Sequence, residues 1–475
     1  MSGPLPPLPA LPPRRVSCDG RFLVNAKGDG FPYLADTAWE IFHRMDANDI
    51  VTYLDDRQAK GFTVIQAALL CELDGLRIPD RQGRIPLIGL DPDCPDENWL
   101  RWVEWVLDEG AARGLTFALV VAWGDKVKPL ARGAGPIIFN PANGRRFTRM
   151  LSARWLGRPI IWIIGGDRNP ETNDEFAIWD TMAEGLIEGG GADTLVTFHP
   201  EGYRSSAEFF HDRPWLAFNA MQSGHGRRDY PVHEGVLIDA ARAPRKPIID
   251  LEPCYEDVPI EFWKLTAGRR WIDIPEAELN YASYRKHRGY MDAWDVRKAI
   301  YRALFAGAAG AAYGHNAVWQ VWKPGSIPRN VPSPISWLEA LNRPGAQQMR
   351  HARTVLDRFG WLEPLPALIT LEPGPFSPLV ARSHRTGDLL VYLPAPHQGF
   401  IQRSLLDGAF GQHGVLLERI NPTTGCTDKK YTQPADALIP WSTPEQVEDA
   451  ILVLRPAIVL DIELSDGSAD QTRST

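Results

Sequence analysis

With 475 residues, 44% of them hydrophobic and 23% charged, the chain can bury one large core and a smaller one, as an ordinary soluble globular protein does. A formal net charge of −8, without a lysine or arginine block, gives no support to a nucleic-acid or anionic-membrane surface and favours a neutral or weakly polar ligand. The five cysteines, at 18, 71, 94, 254 and 426, have no paired spacing, which argues against a disulfide framework or a CxxC zinc site and fits a reducing compartment.

Residues 1–17 begin MSGPLPPLPALPPRR, a Pro-rich leader without the charged and then apolar regions of a secretory signal, so a cytoplasmic protein is expected. No run is apolar for long enough to span a bilayer. From residue 18 to 354 short apolar runs alternate with amphipathic segments, the pattern of a βα repeat. Eight strands are predicted, at 31–36, 62–69, 115–123, 159–165, 194–199, 215–222, 246–252 and 310–319. Helices are predicted at 48–60, 98–113, 174–188 and 292–305, the last with Asp292 as its cap. This spacing matches an α/β fold of the (β/α)8 TIM-barrel type. An open doubly wound sheet is the alternative, although no GxGxxG turn follows an early strand. Past residue 355 the pattern changes to short strands divided by Gly, Pro and Asn turns, with a hairpin across residues 385–388. A β-sandwich is expected over 355–463 and a disordered tail over 464–475.

Two of the predicted strands are aliphatic runs that end in acid: IIWIIGGDRNP at 160–170 and KPIIDLEPCYE at 246–256. On the C-terminal rim of a barrel, where such enzymes keep their chemistry, Asp167 and Glu252 would face each other across the mouth. Two carboxylates flanking a cleft are what glycoside hydrolysis uses. A gap of about 5–5.5 Å gives retention and about 6.5–9.5 Å gives inversion. A period of two puts Asp250 and Glu252 on one face of the seventh strand, expected to point inward or to the rim, and Ile249 and Leu251 on the other. Gly165 and Gly166 are expected to leave ligand space beside Asp167. Arg168 is the obvious ion-pair partner should the acids be structural instead. Asp167 as an acid needs a raised pKa, which burial and the charge of Glu252 would supply and Arg168 would oppose.

The other strand ends are polar or aromatic. Asp36, Trp39, Gln66, Trp123, Arg168, His199, Gln222, Tyr255, His315 and Trp319 are candidates for substrate contacts, with Asp36, His199 and His315 first among the polar strand ends. Such a ring could hydrogen-bond sugar hydroxyls and stack a sugar face. Structural hydrogen bonds or core packing are the competing role for each. The seventeen Trp suit the same purpose, though most are expected in the core. No HxH follows the first strand and no HExxH occurs, so no metal site and no cofactor is predicted. There is no GxSxG, and Cys254 reads as a packed thiol.

The segments FPYLADTAWEIF, GFTVIQAALL, IIWIIGGDRNP, TFHP, DLEPCYE and GAAGAAYGHNAVWQ, with INPTTG near the C-terminus, resemble the apiosidase-like glycoside hydrolases, whose barrel precedes a β module labelled collagen-binding. The resemblance implies a TIM barrel and a retaining glycosidase, with the acid/base on Asp167 in GGDRN and the nucleophile on Glu252 in EPxYE. Relatives release apiose from plant pectic side chains. Pectin-degrading relatives are usually exported, so a chain without an export signal points to imported oligosaccharides or small glycosides. The expected protein is therefore an exo-acting glycosidase with a carbohydrate substrate, and with neither a nucleic-acid nor a membrane partner. The alternatives are a non-catalytic carbohydrate-binding or scaffolding protein and a metal-dependent barrel hydrolase. Oligomeric state has no signal in the sequence.

Overall fold

The structure, a computed structural model, describes residues 11–128, 135–262, 289–326, 330–331, 333–366, 376–396, 398–402, 414–432, 438–442 and 448–457. The tail expected at 464–475 and residues 1–10 of the leader lie outside them. The end of the predicted leader is a strand, β1 (Pro13–Val16), paired antiparallel with β2 (Leu23–Asn25).

All eight predicted barrel strands are present, shorter than expected. They are β3 (Tyr33–Thr37), β4 (Val64–Leu70), β5 (Thr116–Ala122), β6 (Ile160–Gly165) and β7 (Val196–His199), then, after the two-residue β8 (Arg204–Ser205), β9 (Asn219–Gln222), β10 (Ile248–Asp250) and β11 (Gly310–Tyr313). The parallel strands run in the order β7-β6-β5-β4-β3-β11-β10-β9, and β8 adds antiparallel to β9. The open seam between β7 and β9 is stitched by Ala217 N–H to Val196 O at 2.8 Å and Thr197 Oγ1 to Phe218 O at 2.7 Å. The result is a nearly closed α/β barrel. Strand eight was predicted to run to residue 319, but the chain turns after Tyr313 and Asn316–Trp319 is one helical turn.

The four predicted helices begin at side-chain caps, which fix where each leaves the rim. Asp46, Asp96, Thr172 and Asp292 cap Ala47–Ala59, Glu97–Ala112, Asn173–Gly190 and Ala293–Phe305. The helices Pro141–Arg154, Val232–Ala240 and Pro344–Phe359 were not predicted. Side chains inside the barrel, among them Ala35, Val64, Ala68, Val120, Ile161, Ile163, Ala220, Ile249 and Ala312, form one apolar cluster. Alternating residues of the same strands, such as Ile65, Leu119, Trp162 and Phe198, pack outward with the helices. Among the described residues no helix is long and apolar enough to cross a membrane.

The C-terminal part is antiparallel. It comprises β12 (Leu362–Pro364), β13 (Leu379–Ser383), β14 (Leu389–Leu393), β15 (Gln398–Gln402), β16 (Gly414–Ile420), β17 (Thr427–Thr432), β18 (Leu438–Ser442) and β19 (Ala450–Ala457). Six of these make one sheet in the order β12-β13-β14-β19-β16-β17, and β15 pairs with β18. The predicted hairpin is β13–β14. The division expected at residue 354/355 falls inside the helix Pro344–Phe359, whose buried face packs in one cluster with barrel residues Leu34 and Phe305 and sheet residues Leu390 and Val453.

Candidate active site

The site gathers where β6, β7, β9 and β10 end. Asp167 stands two residues past β6 with a positive φ of 52°, following Gly165 and Gly166 at 93° and 119°. Three successive left-handed residues bend the chain across the barrel mouth, and glycine makes the first two possible. A side chain on Gly165 would meet His199 O at 2.5 Å, and one on Gly166 would meet the Trp123 ring at 2.9 Å. The glycines therefore do not leave ligand space, as the sequence suggested; the neighbouring strands fill it.

Glu252 follows β10 and is 4% exposed. Its Oε2 lies 3.0 Å from His199 Nε2 and its Oε1 3.8 Å from His225 Nδ1. Gln222 Nε2 donates to Asp167 Oδ1 at 2.9 Å and its side chain also bonds Glu252. One carboxylate oxygen each of Asp167 and Glu252, with a ring nitrogen of His199, lie within 4.8 Å of one another. The two acids thus lie side by side at the barrel mouth, close enough to act on the same bond.

His199 Nδ1 lies 3.0 Å from Pro200 O. A carbonyl and an ionised carboxylate both only accept, so a histidine between them carries a proton on each nitrogen. Burial alone would lower the pKa of His199, but the hydrogen bond and charge of Glu252, helped by Asp167, raise it above its ordinary value. Burial likewise pushes Glu252 up, yet its bond and charge to His199, followed by His225 and Gln222, hold it below the usual carboxylate range. Asp167 is raised, by burial first and then by the charge of Glu252, against the pull of His199, Arg168 and Gln222. Neighbouring carboxyls pushed in opposite directions are the electrostatic condition for one acid and one anion in the same site.

Aromatic rings wall the pair. His199 sits 5.7 Å from the ring centres of both Trp39 and Trp123, which meet each other edge-on at 5.2 Å. Tyr255 packs against His225 at 4.9 Å, and Trp319 belongs to the same apolar cluster as Trp39, Trp123 and Tyr255. Arg168 is buried, with Nη1 on Asp167 O at 2.7 Å. It bonds the backbone of Asp167 rather than its carboxylate, so it does not neutralise the acid by direct pairing.

Three predicted site residues fall elsewhere. Asp36 points out of the barrel, where its Oδ2 takes Arg57 Nε at 2.8 Å and the Tyr53 hydroxyl at 2.5 Å. Its neighbours Ala35 and Thr37 have the inward parity instead. His315 caps the turn Asn316–Trp319 through Ala317 N–H at 2.9 Å and pairs with Asp257 at 3.1 Å. Gln66 does face inward, but Thr37 Oγ1 at 2.9 Å, Leu251 O at 2.8 Å and the Tyr33 hydroxyl at 3.3 Å occupy its amide. The expected face of the seventh strand is reversed as well. Ile249 and Leu251 fill the barrel, while Asp250 turns outward to hold Ser223 Oγ at 2.6 Å, and burial lifts its pKa to about 6. Glu252 reaches the mouth because β10 has already ended at Asp250.

Two residues were missed. His225 lies in the run QSGH at 222–225, which carries no charge pattern to distinguish it. Glu72, two residues beyond β4, is pushed to about 8 by burial and then by the charge of Asp167, against Arg168. The signal for Glu72 was its place after the aliphatic run VIQAALL, the same pattern that revealed Asp167. The donor atoms of Asp167, His199 and Glu252 would also suit a metal ion.

The family model described as the apiosidase-like catalytic domain matches residues 17–363. A glycoside hydrolase family 5 protein from Bacteroides vulgatus is 24% identical, with a TM-score of 0.77 and 93% of each chain covered. A second structure, titled glycoside hydrolase, is 23% identical, with a TM-score of 0.78 over 94% of this chain and 97% of the other. Both share the fold. No curated protein sequence matches the chain.

Proposed function

The chain belongs to the apiosidase-like family and is a glycosidase, and from that premise we propose that it is a retaining, exo-acting enzyme that cleaves an O-glycosidic bond of a plant-derived oligosaccharide or glycoside, in the manner of a β-apiosidase. The observation that carries the reading is the placement of Asp167 and Glu252 oxygens within 4.8 Å of each other, which agrees with the short gap of about 5–5.5 Å used by retaining enzymes. The low exposure of Glu252, 4%, supports exo action, since a buried acid is reached by a terminal sugar more readily than by the middle of a polymer. The C-terminal sheets are read as a β-sandwich, and a cytoplasmic enzyme would meet imported oligosaccharides.

In the first step the protonated Asp167 donates to the leaving oxygen while Glu252, kept anionic by His199 and His225, attacks the anomeric carbon. The pair then exchanges roles for an electrostatic reason. Esterification removes the charge of Glu252, one of the causes holding the Asp167 pKa up. Asp167 becomes the stronger acid at that moment, is left as its carboxylate, and takes the proton of the water that hydrolyses the glycosyl ester. Trp39, Trp123, Tyr255 and Trp319 would enclose the apolar face of the sugar, and Gln222 and Arg168 would hold the acid.

A mechanism-based fluoroglycoside inactivator tests this directly. Peptide mass spectrometry should find the sugar on Glu252, and nuclear magnetic resonance should show product with the configuration of the substrate. Label elsewhere, or an inverted product, would end the assignment. The grouping of Asp167, His199 and Glu252 favours one second reading, metal-assisted hydrolysis. That reading requires activity to vanish in chelator and return with the ion. A panel of aryl β-apiosides and arabinofuranosides identifies the sugar.

A further inference from the structure

We propose that Glu40, His43 and Cys71 form a second site, separate from the acid pair, that binds one borderline-soft divalent cation of the Zn2+ class. Glu40 and His43 lie between β3 and the helix Ala47–Ala59, and Cys71 is the residue after β4. All three are buried, at 1%, 7% and 0% exposure. Cys71 Sγ lies 2.9 Å from Glu40 Oε2 and 3.2 Å from His43 Nδ1, and the three donor atoms fall within 4.8 Å of one another.

The orientation of His43 is what a metal ligand requires. Its Nε2 lies 3.0 Å from Gly75 O. A carbonyl accepts, so the ring proton is on Nε2 and the Nδ1 lone pair faces the thiol. Donation of the far ring nitrogen to a backbone carbonyl is the usual outer support of a metal-bound imidazole. The hydrogen-bond count points the same way. The thiol has one proton and faces two acceptors, the Glu40 carboxylate and the Nδ1 lone pair, so when it donates to Glu40 Oε2 the Nδ1 lone pair is left facing a sulfur that has no second proton to give. A cation in place of that proton satisfies all three groups.

Thiolate, imidazole and carboxylate are the donors that Zn2+ takes, with metal–ligand distances near 2.0–2.3 Å and donors therefore spread by about 3.5 Å in a tetrahedron. Closing on an ion requires the thiol to move by roughly half an ångström, within the reach of side-chain rotation. The proton displaced from Sγ leaves to solvent, and the charges of thiolate and carboxylate balance the dication. An entry path exists. A cavity of about 230 Å³ opens onto the site, lined by Glu40, His43 and Asp80 together with the basic Arg44, Arg81 and Lys323, and leaves room for a water as fourth ligand. Gly75 keeps that approach tight against the donors, because a Cβ there would stand 2.4 Å from Cys71 Sγ and 2.6 Å from His43 Nε2. Leu73 N–H at 3.1 Å and Arg44 Nε at 3.6 Å steady the Glu40 carboxylate. An ion here would pin together the two rim segments that carry Trp39 and Glu72 to the acid pair.

The test uses the full-length, untagged, reduced chain with the exposed Cys18, Cys94 and Cys426 replaced by Ser, freed of metal by chelator. Equilibrium dialysis should give one high-affinity Zn2+ bound through Cys71, and Co2+ in its place should produce the near-ultraviolet thiolate-to-cobalt absorption. The Asp167, His199 and Glu252 group has no sulfur and cannot give that band, so the two sites are told apart without an activity measurement. Cys71→Ser and His43→Gln should each abolish or strongly weaken the Co2+ absorption. Absence of the thiolate band in the parent chain overturns the proposal even if neither variant folds. So does a band of undiminished strength in Cys71→Ser.

Discussion

Gln222 donates to the carboxylates of both Asp167 and Glu252, and this makes it the most informative single side chain for the chemistry. Burial pushes both acids up; Gln222 is among the groups that favour their charged forms. Replacing it with Leu removes a donor from each, so both pKa values rise. The acid limb of kcat/KM, set by ionisation of Glu252, and the basic limb, set by loss of the Asp167 proton, should therefore both move to higher pH. A charge-assisted hydrogen bond of about 1.5 kcal/mol corresponds to roughly one pH unit. A profile that keeps both limbs in place would remove Gln222 from the electrostatics. Asp36 gives the complementary case. Its pair with Arg57 is buried, both side chains being 0% exposed, and removing one partner of such a pair costs about 3–5 kcal/mol. Asp36→Asn should lower the urea midpoint accordingly while the folded fraction keeps its kcat/KM, whereas a substrate-binding role would show as a raised KM in a protein of normal stability.

At the scale of strands, parity separates the residues that reach the pocket from those that do not. Thr197 and His199 on β7, and Ala220 and Gln222 on β9, share the inward face, and the inference from strand end to site holds there. Leu34 and Asp36 on β3 share the outward face, and Asp36 meets the helix carrying Tyr53 and Arg57. A period of two says only that Ala35 and Asp36 face opposite sides; YLADT, three apolar residues followed by two polar ones, does not mark which side is inward, and that choice needs the barrel's closure, a non-local property. The two acids were legible because aliphatic runs ending in Asp or Glu are costly unless the charge has a use or a partner. His225 was not legible, because its position depends on a loop and on the Tyr255 ring it packs against. The turn after β6 carries its own prediction. Gly165→Ala would place a methyl 2.5 Å from His199 O at a φ of 93°, so Asp167 must shift to relieve it. Thermal melting should fall, and kcat should fall more than KM changes; an Ala variant with full kcat would show that the position of Asp167 does not depend on this turn.

For the molecule as a whole, the C-terminal sheet is part of the barrel's packing and not an appendage. Tyr301 and Phe305 of the helix Ala293–Phe305 pack on Tyr392 of β14 with ring centres 5.3 and 5.6 Å apart. Leu390, Ile420, Ile451 and Val453 of the sheet complete the same apolar cluster as Leu34 and Tyr313 of the barrel. Arg297 on that helix is 0% exposed on its side chain and takes Asp449 at 2.7 Å, with the Tyr392 hydroxyl on the same carboxylate at 3.0 Å. The family match ends at residue 363, so a chain stopped there retains the matched catalytic segment and loses these partners. It leaves Arg297 without its Asp449 partner and an apolar face open to water, and both conditions favour association and local unfolding. The chain ending at 363 should therefore be recovered as aggregate or as a species of sharply lower melting temperature, measured by light scattering and calorimetry. Asp449→Ala in the full chain should reproduce part of that loss, about 3–5 kcal/mol, with activity per folded molecule unchanged because Asp449 immediately precedes β19 of the C-terminal sheet, whereas the acid pair follows the barrel strands β6 and β10. A shortened chain that is monomeric and as stable as the full one would mean that the barrel closes its own core, and the shared cluster would then be contact without consequence for folding.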